Sequence, residues 1–131
     1  MPDFLLDSCV LIRHLRQHQP TTDLMLALAL DGALGLATIS RTEIVEGMRD
    51  HERPLTMRLL DSLRAWPLDA TIADLAGDYI RCFRAQGIRL DKPDAIIGAT
   101  AVHHNLILVT YNAKHFPMDG LQLYRDLVAW S

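Results

Sequence analysis

The sequence predicts an α/β fold, a three-layer α/β/α sandwich with a mainly parallel sheet of about five strands, on three observations. Short apolar runs alternate with longer segments of helical periodicity along the whole chain. The runs at residues 4–6, 34–37 and 106–109 are continuously apolar, as strands buried on both faces are. No repeat, linker or low-complexity stretch interrupts the 131 residues, so a single domain is expected over 1–131. A chain of this size can bury roughly two thirds of its unfolded surface, enough for a genuine core.

The elements follow in order. Phe4-Leu5-Leu6 runs into Asp7, after which Val10, Leu11, Ile12 and Leu15 take helical spacing, so a strand feeds a helix. Thr21 or Thr22 is placed to cap a second helix through Leu30, which Asp31-Gly32 ends before the second strand, Leu34 to Ala37. Ser40 opens the next helix: Ser40-Arg41-Thr42-Glu43 reads as a capping box, with Ile39 and Ile44 as its hydrophobic staple. A further helix follows Pro54, and Trp66-Pro67-Leu68 reads as an edge strand, the place where a proline is tolerated. Ile72, Leu75, Ala76, Tyr79, Ile80 and Phe83 form one apolar stripe down a helix that Gln86-Gly87 closes. Asp91 begins a helix reaching about His104, Asn105 turns the chain, Leu106 to Val109 is a buried strand, and Leu121-Gln122-Leu123 is the last.

Composition narrows the class. Half the residues are hydrophobic and 22% are charged, well away from the signature of disorder. The longest apolar stretch, Leu24 to Leu30, is far short of the roughly 18 residues a membrane span needs, and Asp3 and Asp7 break up any signal-like beginning. A cytoplasmic protein is expected, with Cys9 and Cys82 as free core thiols.

In parallel sheets, ligands gather beyond the carboxyl ends of the strands. Three carboxylates fall there: Asp7 after the first strand, Glu43 after the second, and Asp94 in the first turn of the helix opened by Asp91. Each alone has a structural explanation, since capping boxes and helix dipoles both favour acids in first turns. Together, three acids far apart in sequence and expected at one rim call for a shared purpose.

The segments carrying them are Leu6-Asp7-Ser8-Cys9-Val10-Leu11-Ile12, Thr42-Glu43-Ile44-Val45-Glu46-Gly47 and Asp94-Ala95-Ile96-Ile97-Gly98-Ala99-Thr100-Ala101. They resemble, in order and spacing, the three signature segments of VapC-like PIN domains, the ribonuclease toxins of VapBC toxin–antitoxin systems. A fourth segment, Leu108-Val109-Thr110-Tyr111-Asn112-Ala113-Lys114-His115-Phe116, resembles the family's strand-to-loop motif, and the likeness runs from about residue 3 to 125. The resemblance implies that Asp7, Glu43 and Asp94 bind Mg2+ or Mn2+, that the reaction is hydrolysis of RNA phosphodiesters, that a cognate VapB-like antitoxin restrains the enzyme, and that it is a homodimer. Hard carboxylate oxygens suit such an ion, and the net charge of −3 with a pI near 6.0 fits a site that spends carboxylates on metal rather than a passive phosphate binder.

In many relatives a further aspartate lies in the fourth segment, whereas here Asn112 and His115 occupy its region. That departure speaks against a fully occupied second metal site and leads to the expectation of one firmly held ion and a second recruited with RNA. The Asn112 amide oxygen can still meet a metal or its water, and His115 either faces substrate or caps the short helix before Phe116. Glu46 and Ser8 are expected to support the ligands, Asp91 to cap its helix, and Asp119 to sit in a surface turn.

Arg41, Arg49, Arg89, Lys92 and Lys114 read as solvated surface cations able to guide phosphates. His103 and His104, pointing about 100° apart on a helix, do not make a metal pair. Leu24, Leu28, Leu59, Leu60 and Leu63 are core candidates, some of which would face an antitoxin in the family the chain resembles. A catalytically weak PIN-like module that binds RNA or protein remains the alternative, favoured by the absent fourth carboxylate. A phosphoacceptor domain of receiver type is disfavoured, because no adjacent acidic pair follows the first strand and no lysine directly follows a late one.

Overall fold

Alternation along a strand sends successive side chains to opposite faces, and in this chain both faces are apolar. A computed structural model describes residues 2–127. Its strands β1 (Phe4–Leu6), β2 (Leu34–Ala37), β3 (Arg64–Trp66), β4 (Ile107–Val109) and β5 (Gln122–Leu123) form one sheet in the order β3-β2-β1-β4-β5, with every pairing parallel. The helices are α1 (Ser8–Leu15), α2 (Gln19–Asp31), α3 (Thr38–Gly47), α4 (Arg53–Ser62), α5 (Ala70–Ala85) and α6 (Lys92–His103).

Phe4 and Leu6 pack with Val10, Leu24, Leu28 and Leu60 on one face, while Leu5 packs with Ile72, Ile97 and Ala99 on the other. Burying a Leu side chain contributes roughly 1.5–3 kcal/mol, and slipping β1 by one residue would exchange its faces, so this three-residue strand is pinned in register. The result is the expected three-layer sandwich. The strand order reverses direction between β1 and β4, which leaves a crevice at their carboxyl ends. Helix α3 packs against both α1 and α6 and so stands at the same rim.

At the edge, Trp66 lies across Gly35, where an added Cβ would come within 2.9 Å of the indole Nε1 and 2.7 Å of the Arg64 carbonyl. The Arg64 guanidinium covers the outer face of that indole at 3.8 Å, and the half-buried His104 ring packs on it at 4.4 Å. His103 is exposed, its ring edge-on to that of His104 at 4.8 Å.

Several element starts differ from expectation. Helix α2 begins at Gln19, with His18 as N-cap and Pro20 in its first turn. Thr21 is instead buried, bonding His18 at 2.7 Å and Tyr111 at 2.8 Å, while Thr22 bonds His14. Helix α3 starts directly off β2 at Thr38, so the Ser40–Glu43 capping box does not form: Ser40 lies within the first turn, buried, and Glu43 is freed for another partner. The edge strand ends at Trp66 rather than reaching Leu68, whose N–H turns to the Thr38 hydroxyl at 3.2 Å. Asp91 is the N-cap of α6 by backbone geometry, but its side chain makes no capping bond and pairs with Arg89 at 3.4 Å. Both cysteines are free as expected, yet neither is a core thiol: Cys82 is exposed and Cys9 only partly buried. No helix among the described residues is long and apolar enough to cross a membrane.

Candidate active site

Asp7 is the hinge between β1 and α1. Its extended backbone (φ −67°, ψ 155°) lets its own carboxylate accept from the Ser8 N–H at 2.8 Å, as a helix-capping acid does. The neighbouring strand completes its surroundings. The Asp7 N–H donates to the Val109 carbonyl at 3.0 Å, and Thr110, the first residue after β4, donates its hydroxyl to Asp7 Oδ2 at 2.7 Å. Asp7 is only 5% exposed and Thr110 2%, so this is a buried charge held by hydrogen bonds, the condition under which burial is tolerated. Thr110 Oγ1 also accepts from the Asn112 N–H at 3.0 Å. Sequence reading assigned Thr110 no role. The signal was there in a hydroxyl residue directly following the most apolar strand.

Glu43 reaches the same place from α3. The Ser8 hydroxyl donates to Glu43 Oε1 at 2.7 Å, so one serine touches Asp7 through its backbone and Glu43 through its side chain. Burial, chiefly, and the charges of Asp7 and Glu46 raise the Glu43 carboxyl above its ordinary range, against the opposing Ser8 bond. Asp94, in the first turn of α6, is pushed up to about 6, first by burial and next by the Asp7 charge, with Asp91 and Glu43 adding to the effect and His115 opposing it. His115 Nδ1 stands 3.7 Å from Asp94 Oδ2. Cys9 is drawn into the cluster too: its thiol donates to Asp7 Oδ2 at 3.4 Å and is pushed up to about 11 by burial and by that charge. The crevice therefore keeps the thiol protonated and unreactive at neutral pH.

The three acids singled out from sequence thus stand at one rim, where the charge of Asp7 raises both Glu43 and Asp94. Each carboxylate is engaged by a protein neighbour, and among the described residues no three His, Cys, Asp or Glu side chains converge as a ready-made ligand set. Asn112 joins through its backbone. Its side chain makes no capping bond at the short turn Ala113–His115, which contains His115. Glu46 acts on Glu43 through charge, and Ser8 supports the acids as expected.

With acids from the end of β1, from α3 and from α6 gathered at a sheet switch point, the chain belongs to the PIN domain family, whose match covers residues 4–120. Within that family it is VapC-like. It is 41% identical over 114 residues to Ribonuclease VapC10 of Mycobacterium tuberculosis (strain CDC 1551 / Oshkosh), covering 87% of this chain and 86% of the relative. Ribonuclease VapC19 of the same strain is 29% identical over 116 residues, covering 87% and 92%. The fold matches that of the DNA-bound VapBC from Salmonella typhimurium with a TM-score of 0.82, at 18% identity over 95% of this chain and 98% of that one. It also matches VapBC2 from Rickettsia felis bound to a promoter DNA fragment, with a TM-score of 0.81, at 18% identity over 93% and 97%.

Proposed function

We propose that the chain is the toxin of a VapBC-like toxin–antitoxin pair, a metal-dependent endoribonuclease in which Asp7, Glu43 and Asp94 hold Mg2+ or Mn2+. The observation that carries this reading is the meeting of three carboxylates at the β1/β4 crevice, with Asp94 pushed up to about 6 by burial and by the charge of Asp7. Half-buried carboxyls raised further by a neighbouring carboxylate suit a cation, and hard oxygen donors suit these two ions.

Bound there, such an ion would activate a water and neutralise charge on the scissile phosphate. The chain's own residues set the stage. Thr110 and the Ser8 N–H fix the Asp7 carboxylate, and the Ser8 hydroxyl orients Glu43, so neither needs to reorganise when substrate arrives. The Asn112 amide, uncommitted to its helix cap, is free to meet a substrate oxygen or a water. His115 takes the outer side of Asp94, where a donor can face the phosphate. With no fourth carboxylate in the last segment, one ion is held firmly and a second arrives with RNA.

An antitoxin segment would seat in the apolar groove between α2 and α4, lined by Met25, Leu26, Leu34, Leu59 and Leu63. Leu26 is 65% exposed there, which favours an apolar partner. Likeness to VapBC complexes supports an antitoxin partner, and a homodimeric assembly and a cytoplasmic setting belong to the same reading.

The test is RNA cleavage by antitoxin-free protein in Mg2+, Mn2+ or EDTA, beside the Asp94→Asn variant. Cleavage that requires metal and disappears in the variant is the expected result. Equal activity in the variant rejects the site, and metal binding without cleavage of any RNA by either protein turns the reading toward an interaction module.

A further inference from the structure

Two depressions adjoin the acidic crevice on the side of Asp94. The smaller, about 380 Å³, lies between the α5–α6 loop and the turn after β4 and is lined by Asp94, Lys114 and His115. The larger, about 600 Å³, runs between the end of α5, which carries Arg84, and the start of α6, which carries Lys92. They share one wall, Ile88, Arg89, Leu90 and Asp91. Four cations thus face two carboxylates here, although the whole chain carries a net charge of −3.

Lys92 and Lys114 are the only lysines in the sequence, and both line this path. Neither their side chains nor that of Arg84 makes a hydrogen bond or ion pair among the described residues, and the Arg89 side chain, 93% exposed, has only the long contact to Asp91. Exposed pairs of that kind contribute little and exchange readily for another anion. In the shared wall, next to Arg89, Ile88 is 42% exposed.

We infer that this path is the track of a single-stranded RNA leading to Asp94, with Lys114 and Arg89 on the phosphates nearest the acids, Arg84 and Lys92 on those farther out, and Ile88 against a base face. The inference rests on the ribonuclease reading above and gives it a direction: substrate extends toward α5, away from the α2–α4 groove. Ammonium groups accept phosphates in many geometries, which suits binding without strict sequence dependence. An apolar side chain between the cations requires an unstacked base, which a single strand offers and an A-form duplex does not.

The test uses the intact protein and a fluorescent single-stranded RNA of about 12 nucleotides, in EDTA, where anisotropy reads binding apart from metal-dependent cleavage. Amine acetylation followed by mass spectrometry reports Lys92 and Lys114 individually, with the amino terminus as reference. Saturating RNA is expected to slow acetylation of both lysines several-fold and leave the reference unchanged. The Lys92→Gln/Lys114→Gln variant is expected to bind about tenfold more weakly at low salt, with a slope of log K against log salt shallower by about 1.4, since single strands release roughly 0.7 counterion per neutralised phosphate. Unprotected lysines with RNA bound, an unchanged slope, or no binding at micromolar protein overturns the track. Cleavage with metal beside unprotected lysines removes the track and leaves the nuclease standing. Protection without any cleavage removes the nuclease and keeps the track.

Discussion

Thr110 donates its hydroxyl to Asp7 across 103 residues of sequence, at 2.7 Å, in a place where neither side chain meets solvent to any extent. This bond ties the end of β4 to the end of β1 and fixes the direction of the most deeply buried acid. Thr110→Val keeps the shape and removes the hydroxyl, leaving Asp7 Oδ2 with only the long Cys9 thiol contact and the Asn112 N–H without its acceptor. The expected cost is about 1–3 kcal/mol in urea denaturation, with RNA cleavage lowered about 10–100-fold. Thr110→Ser restores most of both, and a Val variant as active as the parent would separate Thr110 from the site.

Asp94 makes stability depend on pH in an unusual direction. Its folded-state carboxyl titrates near 6, against 3.8 for the ordinary group, so the folded chain holds a proton that the unfolded chain has released. Stability from this group is therefore greatest below about pH 4 and declines as pH rises to 6, by about 2 kcal/mol once screening of a carboxyl still 22% exposed is allowed for. Glu43, also raised, adds in the same direction. Urea midpoints at pH 4, 5 and 7 measure the effect. Asp94→Asn is expected to flatten the profile, and millimolar Mn2+ at pH 7 to recover the parent's lost stability but not to stabilise the variant equally.

Gly35 sits where β2 passes beneath Trp66, and a methyl there meets the Arg64 carbonyl at 2.7 Å. Backbone cannot yield as a flexible side chain can. Gly35→Ala is expected to destabilise by about 1–3 kcal/mol and to release the Trp66 ring, read as a red shift of tryptophan emission. Gly98→Ala meets only the tip of Met118 and is expected to cost far less, which makes it the control.

Much of this architecture was legible in the chain because buried parallel strands announce themselves as apolar runs, as Phe4-Leu5-Leu6 does. The three acids were legible because each follows a strand or opens a helix, and topology does the rest. What escaped were decisions made by tertiary partners. Ser40 and Glu43 have the spacing of a capping box, but the helix starts two residues earlier and Ser8, 35 residues away, takes the glutamate. Thr21 likewise has the look of a cap and is spent on His18 and Tyr111. Cys9 reads as an inert core thiol and instead leans on Asp7, where only a folded neighbour could place it.

The span of the Thr110–Asp7 bond also sets when this crevice can exist. Its members come from positions 7, 8, 43, 94 and 110, so on a growing chain all three acids emerge from the ribosome before the Thr110 that fixes Asp7. Closing so long a loop is the late, entropically costly step of folding. Until β4 has been synthesised the acids of this crevice are therefore present in the chain but not yet locked in place.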